Sequence, residues 1–228
     1  MLNIIINGIN GKTGKAVYAA ARREGINVVC GVDVNTMGGE FDCPVYKSTD
    51  EIKELADVII DFSVPSCVGN LAKYAAETGV KLVICTTGLD GKTEKTLKDA
   101  AEKTAVFYTS NTSLGIFYMR KVCMLSEKYL KDFDAFITEI HHKDKKDAPS
   151  GTAKTIAADL GISESGILSV RGGSVFGEHT VLFLGKNEKI TITHEALSRD
   201  IFADGAIRCA RFIKEKTRGL YGMQDLSE

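Results

Sequence analysis

An excess of charge of either sign is the first thing this sequence lacks: 29 Lys and Arg stand against 30 Asp and Glu, a formal net charge of −1. So even a balance supplies no global field toward nucleic acid or an anionic membrane, which excludes both as partners and requires any charged ligand to be met locally. No apolar run approaches the ~20 residues that span a bilayer, and the chain enters its first strand with neither a basic leader nor an apolar signal core. A cytoplasmic protein is expected. Six cysteines (Cys30, Cys43, Cys67, Cys85, Cys123 and Cys209) are scattered without a CxxC pair, most of them in or beside apolar runs. They are expected as reduced core residues, not as a disulfide framework. Repeats and low-complexity segments are absent too. The length of 228 residues admits one large domain or two modest ones, and two are expected.

What is present begins with a dinucleotide signature. Leu2 to Asn7 is a continuous apolar run containing Ile4, Ile5 and Ile6, as in a strand buried on both faces of a parallel sheet. The turn GINGKTG follows at once and opens a helix to about Arg23. Val28 to Val32 then forms a second strand ending in Asp33. Glycines at 8, 11 and 14 suit a tight turn and the close approach of a pyrophosphate to a helix N-terminus, and an acid ~20 residues downstream is where a ribose hydroxyl is bound. The spacing is GxxGxxG, with Asn10 where the commoner fingerprint has its second glycine. Asp33 reads as ribose ligand or as strand cap, and the context favours the ligand.

Further apolar strands are expected at Ala56–Phe62, Lys81–Cys85 and Ala105–Tyr108, with helices at Val68–Thr78 and Lys92–Lys103 between them. Their exits carry Asp61 and Ser63, then Thr86-Thr87-Gly88, then Ser110 to Ser113. Three polar loops thus gather at the carboxyl ends of parallel strands, where open α/β sheets bind ligands. Leu114 to Lys131 reads as an amphipathic helix. Beyond it the pattern changes to short alternating segments, Leu168–Arg171, Glu178–Leu184 and Lys189–His194, expected as an antiparallel sheet that joins the strand ending at Ile140 in an open mixed sheet. A tail helix is expected from Asp204 to Lys216. His179 and His194 are expected to be structural or interface residues, and Arg199 to bind an anion or make a surface ion pair.

Residues Glu139 to Lys154, EIHHKDKKDAPSGTAK, hold two of the four histidines and four lysines. Ala135 to Ile140 reads as a strand, Thr152 to Leu160 as a helix, and Pro149 suits that helix's first turn. Ser150, Gly151 and Thr152 would then offer backbone donors and hydroxyls to a carboxylate or phosphate. A solvated basic loop is the other reading of the same composition. A histidine beside a lysine suits proton transfer, since the imidazole titrates near neutrality. Adjacent histidines with no spaced third ligand leave metal out of the expected site, although His141 with Asp144 or Asp147 stays open.

The motifs GINGKTG, DFSVP, TTG, the Asn111 cluster, EIHHKDKKDAPSGTA, VFGEHT and ITHEALSRDIFADGAIR together resemble the dihydrodipicolinate reductase family of diaminopimelate and lysine synthesis, over nearly the whole chain. The resemblance implies reduction of 4-hydroxy-tetrahydrodipicolinate to tetrahydrodipicolinate with NADH, NADPH or both. It implies an α/β fold: a Rossmann-like dinucleotide-binding domain (residues 1–111 and 203–228) plus a smaller α+β substrate-binding and oligomerisation domain (112–202) with an open mixed sheet, assembled as a homotetramer. It further implies His141 as catalytic acid, assisted by Lys145, with His142, Gly151 and Thr152 around a small dicarboxylate, to which the helix start adds Ser150. Around the cofactor it places Gly8, Ile9, Asn10, Gly11, Lys12, Thr13, Asp33, Cys85, Thr86, Thr87, Thr109, Ser110, Asn111 and Thr112. The chain departs from the family pattern at Val34, Cys85, Thr112 and Asp144. Val34 bears on the cofactor: Asp33 without a following arginine favours NADH, whereas Lys12, aided by the Gly38-Gly39 loop, would admit a 2′-phosphate. Dual use with NADH preferred is expected. Another two-domain dehydrogenase and a non-catalytic dinucleotide sensor are the alternative readings.

Overall fold

In the computed structural model residues 1–37 and 40–227 are described, so the Gly38-Gly39 loop lies outside the described residues. In chain order the elements are β1 (Asn3–Asn7), α1 (Lys12–Arg23), β2 (Asn27–Val32), β3 (Val45–Tyr46), β4 (Val58–Asp61), α2 (Pro65–Thr78), β5 (Lys81–Ile84), α3 (Gly91–Ala101), β6 (Ala105–Tyr108), α4 (Leu114–Tyr129), β7 (Asp134–His141), α5 (Gly151–Asp159), β8 (Ile167–Arg171), β9 (Gly177–Leu184), β10 (Lys189–Ala196), α6 (Asp200–Lys214) and β11 (Gly219–Tyr221). They form two compact units, Met1–Thr112 with Phe202–Glu228, and Ser113–Ile201.

The first unit is built on a seven-stranded parallel sheet of order β11-β6-β5-β4-β1-β2-β3. Ile4, Ile5, Ile6, Ile59, Ile60 and Leu82 are each 0–1% exposed, because helices cover both faces and alternation would leave polar side chains in a core. The small stripe Gly14, Val17, Ala20 and Ala21 lets α1 pack closely. Helix α2 starts at Pro65, three residues before the expected Val68. Proline is suited to a first turn, and Gly79 in the left-handed region (φ 77°) stops the helix. Two short strands were not expected. β3 continues the sheet beyond β2, and β11, formed by the tail, adds to β6; two and three residues are too few to show a period. All six cysteines are free, four of them buried, while Cys43 and Cys67 are half-buried.

The second unit carries a four-stranded sheet of order β10-β9-β7-β8. β9 is antiparallel to both β7 and β10, but β8 runs parallel to β7, which corrects the expectation of an antiparallel strand at Leu168–Arg171. The cause is α5: a helix between two strands of one sheet returns the chain to its starting edge and makes the pair parallel. Helices α4 and α5 supply Ile116, Met119, Cys123, Ala153 and Ile156 to the core over Ile137, Val181 and Phe183. Phe136, Leu168 and Val170 point to the other face and are 37%, 57% and 50% exposed. Among the described residues no helix is long and apolar enough to cross a membrane.

Candidate active site

In the first unit, the chemistry-bearing residues lie at the carboxyl edge of the parallel sheet. Gly8 follows β1 with φ 80°, and a Cβ there would sit 2.6 Å from the carbonyl oxygen of Phe62. A Cβ on Gly14 would come within 2.1 Å of the Gly8 carbonyl. No side chain caps α1 at Gly11, so the amides of its first turn face outward without an intrahelical acceptor. Asp33, just past β2, accepts from the Asn10 and Asn35 amides, both at 3.0 Å, and so ties the glycine turn to the end of β2. Gly8, Gly11, Asp33, Val34, Lys47 and Lys73 line a cleft of about 620 Å³. A turn that excludes a Cβ at Gly8 and Gly14, an uncapped helix N-terminus, a buried Asn10 Oδ1 without a partner and this cleft together fit a dinucleotide.

Beneath the turn, Asp61 is completely buried. Its carboxylate accepts from Asn7 Nδ2 (2.7 Å), Ser63 Oγ (2.6 Å), the Ser63 amide (3.2 Å) and Thr86 Oγ1 (2.6 Å), linking the ends of β1, β4 and β5. Burial raises its pKa, and the four donors pull against that rise. This hub changes the expected roles of several cofactor residues. Ile9 is fully buried against Gly31, Cys85 is buried and its thiol pushed well above the ordinary range by desolvation, and the Thr86 hydroxyl belongs to Asp61. Thr112 is also buried, donating to the Phe202 carbonyl at 2.8 Å. The side chains of these four serve the fold, which leaves their backbone for a ligand. Lys12, Thr87 and Ser110 are exposed, Thr13 and Asn111 half-buried, and Thr109 Oγ1 closes its loop by donating to the Asn111 carbonyl at 2.8 Å.

In the second unit, β7 puts Ile137, Glu139 and His141 on its inner face by simple alternation. Glu139 is wholly buried, and four donors surround it. Arg171 Nη1 and Nη2 reach its two oxygens at 2.8 and 2.7 Å, the Ser150 amide donates at 3.2 Å, and His141 Nδ1 lies 2.5 Å away. Burial would raise the Glu139 carboxyl, but Arg171, Ser169, His141 and the Ser150 amide hold it down to about 2. His141 is pulled downward by its own burial, against which Glu139 acts, while Lys145 and Arg171 add to the lowering. The imidazole of His179, cross-strand from Glu139, stands edge-on to His141 with ring centres 5.2 Å apart. Desolvation, with His141 next to it, lowers His179 to about 4.

The neighbouring expectations fare differently. Lys145 Nζ is paired with Asp147 at 2.7 Å, and His142 is half-buried, alternate to His141. Pro149 is not in the first turn of α5: it follows a cis peptide bond and precedes the N-cap. Ser150 is that N-cap. Its hydroxyl accepts from the Ala153 amide (3.2 Å) and meets His179 Nε2 (3.0 Å), so the side chain expected to touch a ligand is buried instead. Gly151 and the half-buried Thr152 form the first turn of the helix. Glu139 stood inside the quoted motif without a role, and its place two residues before His141 on a strand was the available signal. Arg171 had none, because only the parallel register that pairs it with His141 brings it there. Among the described residues no group of three or more His, Cys, Asp or Glu is placed to hold a metal ion.

Comparison with known proteins assigns the family. Residues 2–112 match the model described as dihydrodipicolinate reductase, N-terminus, and residues 115–226 match the one described as dihydrodipicolinate reductase, C-terminus. The chain belongs to the dihydrodipicolinate reductase family. A 4-hydroxy-tetrahydrodipicolinate reductase from Caldanaerobacter subterraneus subsp. tengcongensis is 42% identical over 99% of this chain and 98% of its own. One from Archaeoglobus fulgidus is 38% identical over the whole of both. Among solved structures, a dipicolinate-bound dihydrodipicolinate reductase from Paenisporosarcina sp. TG-14 superposes with a TM-score of 0.84 over 99% of both chains, at 24% identity, a likeness of fold. The chain is accordingly an NAD(P)H-dependent oxidoreductase whose first unit is the dinucleotide-binding one.

Proposed function

We propose that this protein reduces 4-hydroxy-tetrahydrodipicolinate to tetrahydrodipicolinate in the diaminopimelate route to lysine, with His141 as proton donor. The observation that carries the assignment of roles is the buried Glu139–His141 pair at the end of β7, followed within ten residues by Lys145 and the start of α5. The dinucleotide supplies hydride. What this chain supplies is a proton and two binding devices. Loss of the 4-hydroxyl as water conjugates the ring, which, having accepted hydride at one end, is left as an enamine that must gain a proton at the neighbouring carbon. His141 gives that proton. Lys145, exchanging Asp147 for the substrate, offsets the negative charge that develops, and the backbone donors of Gly151 and Thr152 with the helix dipole hold one carboxylate, with His142 beside it.

The residues of the glycine turn, Gly8 to Thr13, hold the pyrophosphate, Asp33 the adenosine ribose, and the Cys85–Thr87 and Thr109–Thr112 loops contribute through their backbones and through exposed Thr87 and Ser110. The outward face with Phe136, Leu168 and Val170 supports a homotetramer closed through the second unit's sheet, and a biosynthetic enzyme of this kind works in the cytoplasm. The test is oxidation of NADH or NADPH with freshly formed 4-hydroxy-tetrahydrodipicolinate, with amino-acid dehydrogenase substrates as controls. Turnover of the controls and not of the dicarboxylate would refute the assignment. Light scattering giving one subunit's mass would refute the tetramer.

A further inference from the structure

His141 has two ring nitrogens, and the structure treats them differently. Nδ1 faces inward, 2.5 Å from Glu139 Oε2. Nε2 faces the first residue of β9, where a Cβ on Gly177 would stand 2.9 Å from it. The carboxylate that holds Nδ1 has no exposure to water, and both of its oxygens are engaged by the Arg171 guanidinium. Arg171 is itself anchored, donating from Nη2 to the Asp147 carbonyl at 2.7 Å.

We propose that Glu139, locked by Arg171, is a positioning residue that confines proton exchange on His141 to Nε2. The proposal rests on the reading of His141 as proton donor. With a planar guanidinium on both oxygens, Glu139 has no lone pair well placed to keep a proton of its own, so it accepts the Nδ1–H whether the ring is charged or neutral. In the transfer step the Nε2–H bond breaks, its electron pair stays on the ring, and the enamine electron pair forms the new C–H bond. What remains is a neutral imidazole protonated on Nδ1 and still bonded to Glu139. Without that anchor the ring could turn over, and either nitrogen could hold the proton. The pair also sets how readily the ring charges. The groups facing it are Glu139 on its own strand, Arg171 from β8, His179 from β9, and Lys145 with its partner Asp147 from the loop beyond. The Ser150 amide at the head of α5 points into Glu139. Only Glu139 and Asp147 favour the imidazolium, and Asp147 is already shared with Lys145.

The decisive experiment is histidine-selective ¹⁵N NMR of the full chain across pH, with the His141 ring assigned by its loss in His141→Gln. Kinetics on the same variants run alongside. In the wild type the neutral ring should show the Nδ1–H tautomer. In Glu139→Gln its midpoint should fall by about one pH unit or more, and kcat at pH 7.5 should fall about 10²-fold while KM and NADH binding stay within about twofold. Glu139→Asp should restore most of the midpoint. Arg171→Met should move it the other way, upward, because a cation is removed. A variant that merely loosened the fold would expose the ring and raise its midpoint toward the ordinary value, opposite to the shift expected for Glu139→Gln. An unchanged midpoint in Glu139→Gln, or an Nε2–H tautomer in the wild type, overturns the proposal. Wild-type kcat in His141→Gln would instead overturn the proton-donor reading on which it rests, with the ring data still deciding what Glu139 does.

Discussion

Among the described residues each unit buries one carboxylate towards the carboxyl end of a strand, and the two are satisfied in opposite ways. Asp61 is surrounded by neutral donors, an amide side chain, two hydroxyls and a backbone N–H. Glu139 is surrounded by a guanidinium, an imidazole and a backbone N–H. Neutral donors fix geometry without importing charge, which suits a hub holding three loops at fixed distances beneath a ligand. Charged partners let a site move a proton, because the ion pair keeps the carboxylate ionised when its neighbour changes state. Burial alone therefore does not say what a carboxylate does; what surrounds it does.

The sharpest way to break the comparison is at the histidine. His141→Gln should lower kcat by roughly 10²–10⁴-fold with NADH affinity unchanged, since a placed acid typically contributes that much and the dinucleotide does not depend on it. Lys145→Ala should act in the same sense, with KM rising as well. Stopped-flow hydride transfer and NADH fluorescence titration separate the two effects. At the other carboxylate the signature should be reversed. Asp61→Ala leaves the buried Asn7 and Thr86 side chains without their acceptor. It should cost on the order of 3 kcal/mol of stability and lower Tm by roughly 5–10 °C, with kcat per folded molecule much less affected. A normal Tm for that variant would show that the loops do not need the hub.

Acid should separate the units as well. The folded Glu139 titrates at about 2 against a usual 4.5, so its contribution is complete above about 4.5 and is lost as pH falls toward 2. His179, lowered from 6.5 to about 4, acts in the same direction: the neutral ring is the one the fold accepts, and stability drains away as pH drops from about 6.5 through 4. Asp61, raised by burial, titrates the opposite way, since protonation relieves a cost. Hydrogen exchange at pH 3–4 should therefore show β7 and β9 losing protection before β1 and β4. The reverse order would mean that the two carboxylates are not the groups that set acid stability.

The contrast also explains what the sequence could show. The parallel strands were legible as unbroken apolar runs, and His141, Lys145 and the glycine turn were legible as motifs, because each depends on residues close together in the chain. β11 and β3 were not, being too short for a pattern. Arg171 was not, because its partner is 32 residues away and reaches it through a crossover helix whose consequence for strand direction had to be seen. The inward commitments of Ile9, Thr86, Thr112 and Ser150 were hidden for a related reason. A loop motif states which residues surround a ligand, but whether a hydroxyl faces that ligand or its own scaffold depends on partners as distant as Asp61, Phe202 and His179.

The smallest effect expected concerns the cofactor, where the first unit does carry charge outward. Asp33 sits at the cleft beside exposed Val34, with both carboxylate oxygens accepting backbone amides. Those bonds hold it pointed at the glycine turn, so a 2′-phosphate would meet a carboxylate that Val34 cannot offset, which favours NADH. Lys12 is exposed at the first position of α1, within reach of the same turn, and Lys47 and Lys73 line the cleft from other elements. An exposed ammonium attracts a phosphate through water by about 1 kcal/mol at most, roughly a fivefold preference and no more. Wild-type enzyme should then use both cofactors with kcat/KM higher for NADH. Lys12→Ala should lower NADPH efficiency a few-fold at low salt while leaving NADH near normal. The difference should shrink as salt screens the exposed charge. If Lys12→Ala lowers both equally, the lysine serves the shared pyrophosphate, and the discrimination passes to Lys47 and Lys73, whose alanine variants should show the selective loss instead.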